Sequence, residues 1–239
     1  VKRIMYIFSV VIKRIFDIAV SLFALMICSP IFVVLSILIV IDSGVPIIFK
    51  QERRGKDGRV FKMYKFRSMV QNAEKMEGGL FNYEGDPRVT KIGRFMRNTS
   101  LDELPQLINV LVGDMSLVGP RPSVTYELGD FDTLNKRYKK RFQVVPGITG
   151  LAQVCGRNDI SWDEKVDFDN QYIDEFKKRG IFLDMYILAK TVLKVFAQKD
   201  IYEEKIMEGV TDEESAMLAE MEIIRKAHET EEDMEQEEI

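Results

Sequence analysis

A long apolar run near the start of the chain constrains the fold more than any other feature. Residues 15–41 read IFDIAVSLFALMICSPIFVVLSILIVI and carry one charge, on Asp17. A straight helix of this length would extend about 40 Å, against roughly 30 Å for the hydrocarbon core of a bilayer. The run exceeds the apolar part of a secretory signal, and no small-residue cleavage pattern follows it. It therefore predicts a membrane-embedded helix that stays in the mature protein.

Two features of this run favour a re-entrant path over a simple span. Ser29-Pro30 lies in its middle, and a proline there removes a backbone donor and should kink the helix. Lysines and arginines flank both sides: Lys2, Arg3, Lys13 and Arg14 before the run, and Lys50, Arg53, Arg54, Lys56 and Arg59 after it. A spanning helix normally has its Lys/Arg excess on the cytoplasmic side only. Basic flanks on both sides suit a helix that returns to the same face, where they would contact anionic headgroups. A spanning anchor is the alternative.

The charge of the chain is divided between two regions of opposite sign. The formal net charge is −4, but residues 199–239 carry 4 basic and 16 acidic residues. The rest of the chain is therefore basic, with a net charge of +8. We expect the acidic tail to be partly helical or disordered. Nucleic-acid binding is not expected, because the basic residues are not interleaved with an aromatic stacking platform.

Histidine and cysteine usage excludes several kinds of catalytic or structural site. The one histidine, His228, lies in the acidic tail, so the basic body has no imidazole for a triad or a zinc site. Cys28 and Cys155 are far apart, which excludes a disulfide framework and a CxxC redox motif. Reduced thiols suit a protein that faces the cytosol.

The pattern of the body predicts an α+β fold that is mainly α. Apolar alternation on both sides of a Gly/Asp turn at residues 55–58 predicts a small β-hairpin from residues 46–49 and 59–66. A polar loop is expected at 71–86. Helical patterns cover 102–111, 125–142, 162–178 and 181–197. The last of these has a broad apolar face, which suits either a core helix or an amphipathic helix in the membrane interface.

The strongest cluster of candidate site residues is RFMRNTSLDELPQ, residues 94–106. Ser100-x-x-Glu103 matches a capping box at a helix start, which is one interpretation. The other is functional, because adjacent Asp102 and Glu103 could hold a divalent ion such as magnesium (Mg2+). Nearby cations could hold an anionic substrate: Arg88, Lys91, Arg94 and Arg97. Carboxylates, metal and arginine together are the components of a phosphoryl-transfer site.

A second candidate is Arg121, which stands between two prolines in GDMSLVGPRP. Fixed φ angles on either side hold its backbone stiff, which suits phosphate binding or simply a rigid turn with an exposed arginine. The Gly-rich segment 147–157 could bring backbone near a ligand. The chain has no GxGxxG or GxxxxGK[ST] motif, so neither a Rossmann nor a P-loop site is predicted.

Four blocks together resemble the bacterial sugar transferase family: KRIFDIAVSLFALMICSP, FKMYKFRSM, RNTSLDELPQLINVLVGDMSLVGPRP and PGITGLAQVCGRN. They occur in the family's order and cover about residues 10–197. The family comprises monotopic phosphoglycosyl transferases, which load a phosphosugar onto a polyprenyl (undecaprenyl) phosphate. The chain resembles the minimal form of the family.

The resemblance implies roles for particular residues. Ser29-Pro30 would be the break in a re-entrant helix, and Asp102 the nucleophile that attacks a UDP-sugar and expels UMP. Glu103 would be its partner, as magnesium ligand or proton handler. Arg97 and Arg121 would bind substrate phosphate.

The resemblance also implies an organisation and a location. Residues 1–45 would embed in the membrane, 46–198 would form the catalytic domain, and the tail 199–239 lies outside the family pattern. The protein would lie at the cytoplasmic face of the bacterial inner membrane, among membrane lipids; homo-oligomer formation stays open. No residue selects the sugar. A non-catalytic membrane-anchored adaptor is the competing interpretation.

Overall fold

The computed structural model describes residues 2–76, 85–155 and 160–196. The predicted acidic tail 199–239, with His228, lies outside these residues, as does the middle of the predicted polar loop, 77–84. Within the described residues the fold is mostly helical with a small amount of sheet, as the sequence predicted.

Seven helices and five strands make up the described part of the chain. The helices are α1 Lys2–Ser43, α2 Lys91–Asn98, α3 Gln106–Val112, α4 Lys136–Lys140, α5 Leu151–Cys155, α6 Trp162–Arg179 and α7 Ile181–Phe196. The strands are β1 Ile48–Arg54, β2 Val60–Phe66, β3 Ser116–Val118, β4 Ser123–Val124 and β5 Gly147–Thr149. The predicted hairpin is confirmed: β1 pairs antiparallel with β2, and β4 pairs with the other edge of β1. Strands β3 and β5 form a separate parallel pair.

The predicted helix over 125–142 is wrong for most of its length. The chain makes turns at residues 125–128 and 131–133, on either side of Gly129, which has φ +74°, before α4 begins. Asn135 starts that helix, because its side chain accepts a hydrogen bond from the backbone N–H of Tyr138 at 3.0 Å. A 3₁₀ turn at Arg141–Gln143 follows directly. The basic composition of this stretch had suggested a helix, but a left-handed glycine and an internal cap divide it.

Helix α1 is long and apolar enough to cross a membrane by length and composition. Its most apolar part is only 11% buried, so it is not the core helix of a soluble fold. Large apolar side chains are exposed from Met5 to Ile41. An exposed apolar surface of this extent needs a non-aqueous cover.

The Ser29-Pro30 pair lies inside α1, which continues on both sides of it. Pro30 has no N–H to donate to the carbonyl of Met26, the residue four positions earlier. The Ser29 hydroxyl donates to that same carbonyl at 2.8 Å. The helix therefore passes the proline without leaving this carbonyl unpaired, which matters in a hydrocarbon environment. The re-entrant path stays a prediction.

Two of the basic residues that precede the apolar run, Lys13 and Arg14, contact the protein itself. Lys13 Nζ lies 2.6 Å from the buried carboxylate of Asp184 on α7. Arg14 donates to the carbonyls of Val110 and Leu111, in the last turn of α3. The sequence had assigned both cations to lipid headgroups, and that assignment is wrong for these two. Free carbonyls at a helix C-terminus and a buried acid are stronger partners than solvent-screened headgroups.

The part of α1 after Pro30 packs on the same body. Leu35 and Ile39 form a small buried cluster with Phe66 of β2 and Met96 of α2. The side chain of Asp42 also accepts the backbone N–H of Ile92 at 3.0 Å. Helix α1 thus holds α2 and the hairpin from one side, and these elements carry the candidate site.

Helix α7 has two apolar faces. The core-helix interpretation of its segment is confirmed, and its placement in a membrane interface stays a prediction. Leu183 and Ile187 are buried against the main core. Phe182 and Leu193 are 78% and 66% exposed on the outer side. The helix is therefore a core helix whose outer surface is also apolar.

Candidate functional site

Asp102 lies in a 3₁₀ turn, Leu101–Glu103, between α2 and α3. Ser100, just before it, adopts a left-handed conformation with φ 56° and its side chain caps nothing. A capping box needs an extended N-cap residue, so the capping-box interpretation of Ser100 and Glu103 is wrong. Glu103 is therefore free to use its carboxylate elsewhere.

Helix α2 approaches the end of the hairpin closely, and this contact positions Arg97. A Cβ atom on Gly93 would lie 1.9 Å from the carbonyl oxygen of Ser68, so only glycine fits there. One turn later, Arg97 Nε donates to the Ser68 hydroxyl at 3.0 Å. This anchoring places Arg97 along the wall of a cavity that also contains Asp102.

Glu103 is held by two cations from distant parts of the chain. Its Oε1 lies 2.9 Å from Lys65 Nζ of β2 and 2.6 Å from Arg121 Nη2. In the part of the chain that the structure describes, its Oε2 has only a long contact, 3.5 Å, to Arg121 Nη1. Burial alone would raise the pKa of Glu103, but Arg121 and Lys65 outweigh it and hold that pKa well below its usual range. Glu103 is a fixed anion at any ordinary pH.

Asp102 has the opposite environment. It is 7% exposed, and within the described residues its carboxylate accepts no hydrogen bond. Burial raises the pKa of Asp102, and the charge of Glu103 raises it further, while Lys65, Arg97 and Arg121 oppose the rise. Adjacent carboxylates in different environments typically take different chemical roles. Asp102 is the one whose oxygens are available to a ligand.

The backbone of Arg121 is anchored by a buried ion pair. Arg141 donates from Nη2 to the carbonyl of Arg121 at 2.6 Å, and its Nε lies 2.9 Å from the carboxylate of Asp169 on α6. The side chains of Arg141 and Asp169 are only 3% and 2% exposed. The guanidinium of Arg141 also lies 5.0 Å from the ring centre of Trp162. Arg121 therefore presents its own side chain, 40% exposed, from a fixed peptide.

These residues line a cavity of about 1460 Å³. One wall is cationic and includes Arg53, Lys65, Arg97 and Arg121. Burial, and then the neighbouring charge of Arg121, lowers the pKa of Arg53 to about 10. Cations that repel one another in this way favour a polyanionic ligand, such as a diphosphate.

The structure brings together four of the predicted site residues, Arg97, Asp102, Glu103 and Arg121, in this cavity. The other cations of that sequence cluster lie elsewhere. Arg88 forms a buried ion pair with Asp86 at 2.7 Å. The exposed side chains of Lys91 and Arg94 do not line the cavity, so their predicted part in substrate binding is wrong.

Sequence reasoning missed Lys65, Arg53 and the pair Arg141–Asp169. The first two had a visible signal, because the predicted hairpin is rich in basic residues. Arg141 and Asp169 had none, since their contact joins segments that no local pattern relates.

The two carboxylates fit a magnesium ion. Within the described residues no group of three or more His, Cys, Asp or Glu side chains forms a metal site. Asp102 is unpaired among them, and Glu103 Oε2 has only its long contact to Arg121. Magnesium in phosphoryl-transfer sites is commonly held by one or two carboxylates together with substrate phosphate oxygens. Asp102 and Glu103 supply that donor set.

Comparison with protein families identifies one match, to the family described as bacterial sugar transferase, over residues 8–198. This range includes most of α1, both sheets and every residue that lines the cavity.

Three curated relatives are similar to the chain over most of its length. The undecaprenyl-phosphate galactose phosphotransferase of Salmonella typhimurium is 43% identical over 203 residues, which cover 79% of this chain and 41% of the relative. The UDP-glucose:undecaprenyl-phosphate glucose-1-phosphate transferase of Klebsiella pneumoniae is 44% identical, covering 81% of this chain and 42% of the relative. An uncharacterized sugar transferase, EpsL of Bacillus subtilis, is 42% identical, covering 80% of this chain and 90% of the relative. The chain thus spans about two fifths of the first two relatives and most of the third.

Proposed function

The chain belongs to the bacterial sugar transferase family, and from this premise we propose that it is a phosphoglycosyl transferase. It would transfer a phosphosugar from a UDP-sugar to a polyprenyl (undecaprenyl) phosphate, giving UMP and a polyprenyl-diphosphate sugar. One observation carries the proposal: the buried carboxylate of Asp102, which has no hydrogen-bond or ion-pair partner among the described residues, lies beside the ion-paired Glu103 in a cavity with a cationic wall. The names of two relatives, a galactose and a glucose phosphotransferase, support it.

In the first step, an Asp102 oxygen attacks the β-phosphorus of the UDP-sugar. A bond forms between Asp102 and phosphorus, and the bond from that phosphorus to the bridging oxygen breaks. UMP leaves with the bridging oxygen and its electron pair. Arg97 and Arg121 support this step by binding the phosphates, because charge neutralisation and positioning account for most of the rate in phosphoryl transfer.

In the second step, a phosphate oxygen of the polyprenyl acceptor attacks the phosphorus held by Asp102. The aspartyl–phosphorus bond breaks and the Asp102 carboxylate is restored. Two displacements let a water-soluble donor and a membrane-bound acceptor use one site in turn. The raised pKa of Asp102 supports this role, since a more basic oxygen is a stronger nucleophile once it is ionised.

Glu103 acts as the fixed partner of Asp102. Arg121 and Lys65 lower the pKa of Glu103, which disfavours proton transfer by this carboxylate and favours magnesium ligation over an acid–base role. Magnesium, held by Asp102 and Oε2 of Glu103, would neutralise charge on the diphosphate. Lys65 and Arg121 keep the Glu103 carboxylate oriented for this purpose.

We place the protein at the cytoplasmic face of the bacterial inner membrane, with α1 re-entrant. The support is the exposed apolar surface of α1 and the contacts it makes with the body on both sides of Pro30. Because α1 contacts one compact body on both sides of Pro30, the simplest arrangement places both ends of the helix on the same face of the membrane.

A labelling experiment tests this topology. Single cysteines replace Lys2, the first residue of α1, and Val45, which is 65% exposed, in protein whose Cys28 and Cys155 are changed to serine. A membrane-impermeant maleimide should label both positions in inverted membrane vesicles and neither in intact spheroplasts. Labelling of one position from each side would show a spanning helix instead.

Product formation tests the function itself. The protein, with magnesium and polyprenyl phosphate, is incubated with a panel of radiolabelled UDP-sugars that includes UDP-galactose and UDP-glucose. We expect UMP release and a labelled lipid product from at least one donor. A membrane-anchored adaptor would release no UMP from any donor, and UDP with magnesium would leave its melting temperature unchanged.

A further inference from the structure

The cavity that holds Asp102 has two chemically different walls. The cationic wall carries the arginines described above. A second wall is apolar, and four separate elements contribute to it: α1, α3, β3 and α7. We define this apolar wall by six cavity-lining residues, namely Ala24, Leu107, Leu117, Leu188, Val192 and Val195.

The donor of the proposed reaction would gain little free energy from contact with an apolar wall. A UDP-sugar consists of a base, two sugars and a diphosphate, and it offers little hydrocarbon surface to bury. The acceptor is the opposite case, because a polyprenyl chain is entirely hydrocarbon and gains about 25 cal/mol for each Å² removed from water. The apolar wall is therefore complementary to the acceptor.

The position of the apolar wall connects the cavity to the lipid-facing parts of the molecule. Ala24 belongs to α1, six residues before Pro30. Val192 and Val195, on α7, are 53% and 39% exposed at the edge of the cavity. The outer face of α7 beside them is apolar as well, with Leu193 66% exposed. The wall thus includes residues of the same two helices that carry the exposed apolar surface.

We propose that this apolar wall is the binding subsite for the first isoprene units of the polyprenyl phosphate acceptor. The acceptor enters along α7 and α1 with its chain on the wall, and its phosphate reaches Asp102 beside the cationic wall. The inference rests on the proposed function for the identity of the ligand. It assigns acceptor binding to residues that the donor does not need.

A matched pair of variants on α7 tests the subsite. Val192→Asn and Leu193→Asn each place the same amide at an exposed apolar position, but only Val192 lines the cavity. Val192→Asn is expected to raise the KM for polyprenyl phosphate about tenfold, since loss of one apolar contact in a pocket has about this effect. Its KM for the UDP-sugar should change by less than about twofold. Leu193→Asn should change neither constant by more than that.

A binding measurement separates failure of this inference from failure of the proposed function. Trp162, the one tryptophan of the chain, lines the cavity and reports ligand binding by its fluorescence. Polyprenyl phosphate should bind wild-type and Leu193→Asn protein equally and Val192→Asn protein about tenfold more weakly. Equal affinity in all three proteins would overturn the subsite, as would a change in donor KM alone. Val192-dependent binding without UMP release from any donor would instead overturn the proposed reaction and leave the subsite standing.

Discussion

Asp102→Asn protein is expected to lose kcat/KM by about 10⁴-fold or more, the range found when a covalent nucleophile is removed. An amide has nearly the shape of the carboxylate but lacks the anionic oxygen that would bond to phosphorus. The measurement is conversion of radiolabelled UDP-sugar to lipid-linked product. Near-normal turnover would show that residue 102 is not the nucleophile.

Stability provides the control for this substitution. Within the described residues Asp102 accepts no hydrogen bond, so the amide disrupts none. Burial raises the pKa of Asp102 in the folded protein, so the ionised carboxylate destabilises the fold relative to the unfolded chain. This cost is present at pH 7 and is removed only as the pH falls and Asp102 is protonated. The Asn variant should therefore melt at or above the wild-type temperature at pH 7. A large fall in melting temperature would mean that lost activity reflects misfolding.

The covalent adduct is the positive counterpart of the same prediction. Wild-type protein given UDP-sugar without acceptor should gain the mass of one phosphosugar, and peptide analysis should locate it on Asp102. The Asn variant should gain none. A phosphosugar on any other residue would assign the nucleophile elsewhere.

Local sequence was sufficient to find the membrane helix and the core of the site. The apolar run needs no tertiary information to be recognised, and Ser29-Pro30 has its effect within a single helical turn. Asp102 and Glu103 are neighbours in the chain, so their proximity is certain before folding. Arg97 was identifiable because it is close to these acids in the sequence, and Arg121 because the prolines on either side restrict its backbone.

Residues whose roles depend on long-range contacts could not be assigned. Ser100 and Glu103 have the spacing of a capping box, but Lys65 and Arg121, which are distant in sequence, take the Glu103 side chain. An ion pair with two cations stabilises that carboxylate more than a cap would. Lys13 was misassigned for the same reason, because its buried partner Asp184 lies 171 positions later in the chain.

The two carboxylates of the site show why local and tertiary information must be combined. The sequence shows Asp102 and Glu103 as neighbouring carboxylates and does not distinguish their chemical roles. The fold separates them, since the cations that neutralise Glu103 come from β2 and from the segment between β3 and β4. Among the described residues Asp102 lacks such partners, so its carboxylate remains available to a substrate.

Arg121→Gln protein is expected to lose about 10³-fold in kcat/KM, the effect of removing an arginine that stabilises charge in phosphoryl transfer. Two functions are lost together, because Arg121 both faces the substrate cavity and holds Glu103. Steady-state kinetics with the preferred UDP-sugar measure the loss. Arg137→Gln is the matched control, since Arg137 is a partly exposed arginine that pairs with Asp163 and Asp167 and does not line the cavity.

The pH profile of the same variant distinguishes lost substrate binding from a changed dyad. Arg121 lowers the pKa of both Asp102 and Glu103, so its removal lets burial raise both values. The two acids then take up protons at higher pH than in the wild type, and the protonated dyad is inactive. The acid limb of the kcat/KM profile should therefore move to higher pH in Arg121→Gln and stay in place in Arg137→Gln. An unshifted acid limb with a raised KM would mean that Arg121 binds phosphate without controlling the ionisation of its neighbours.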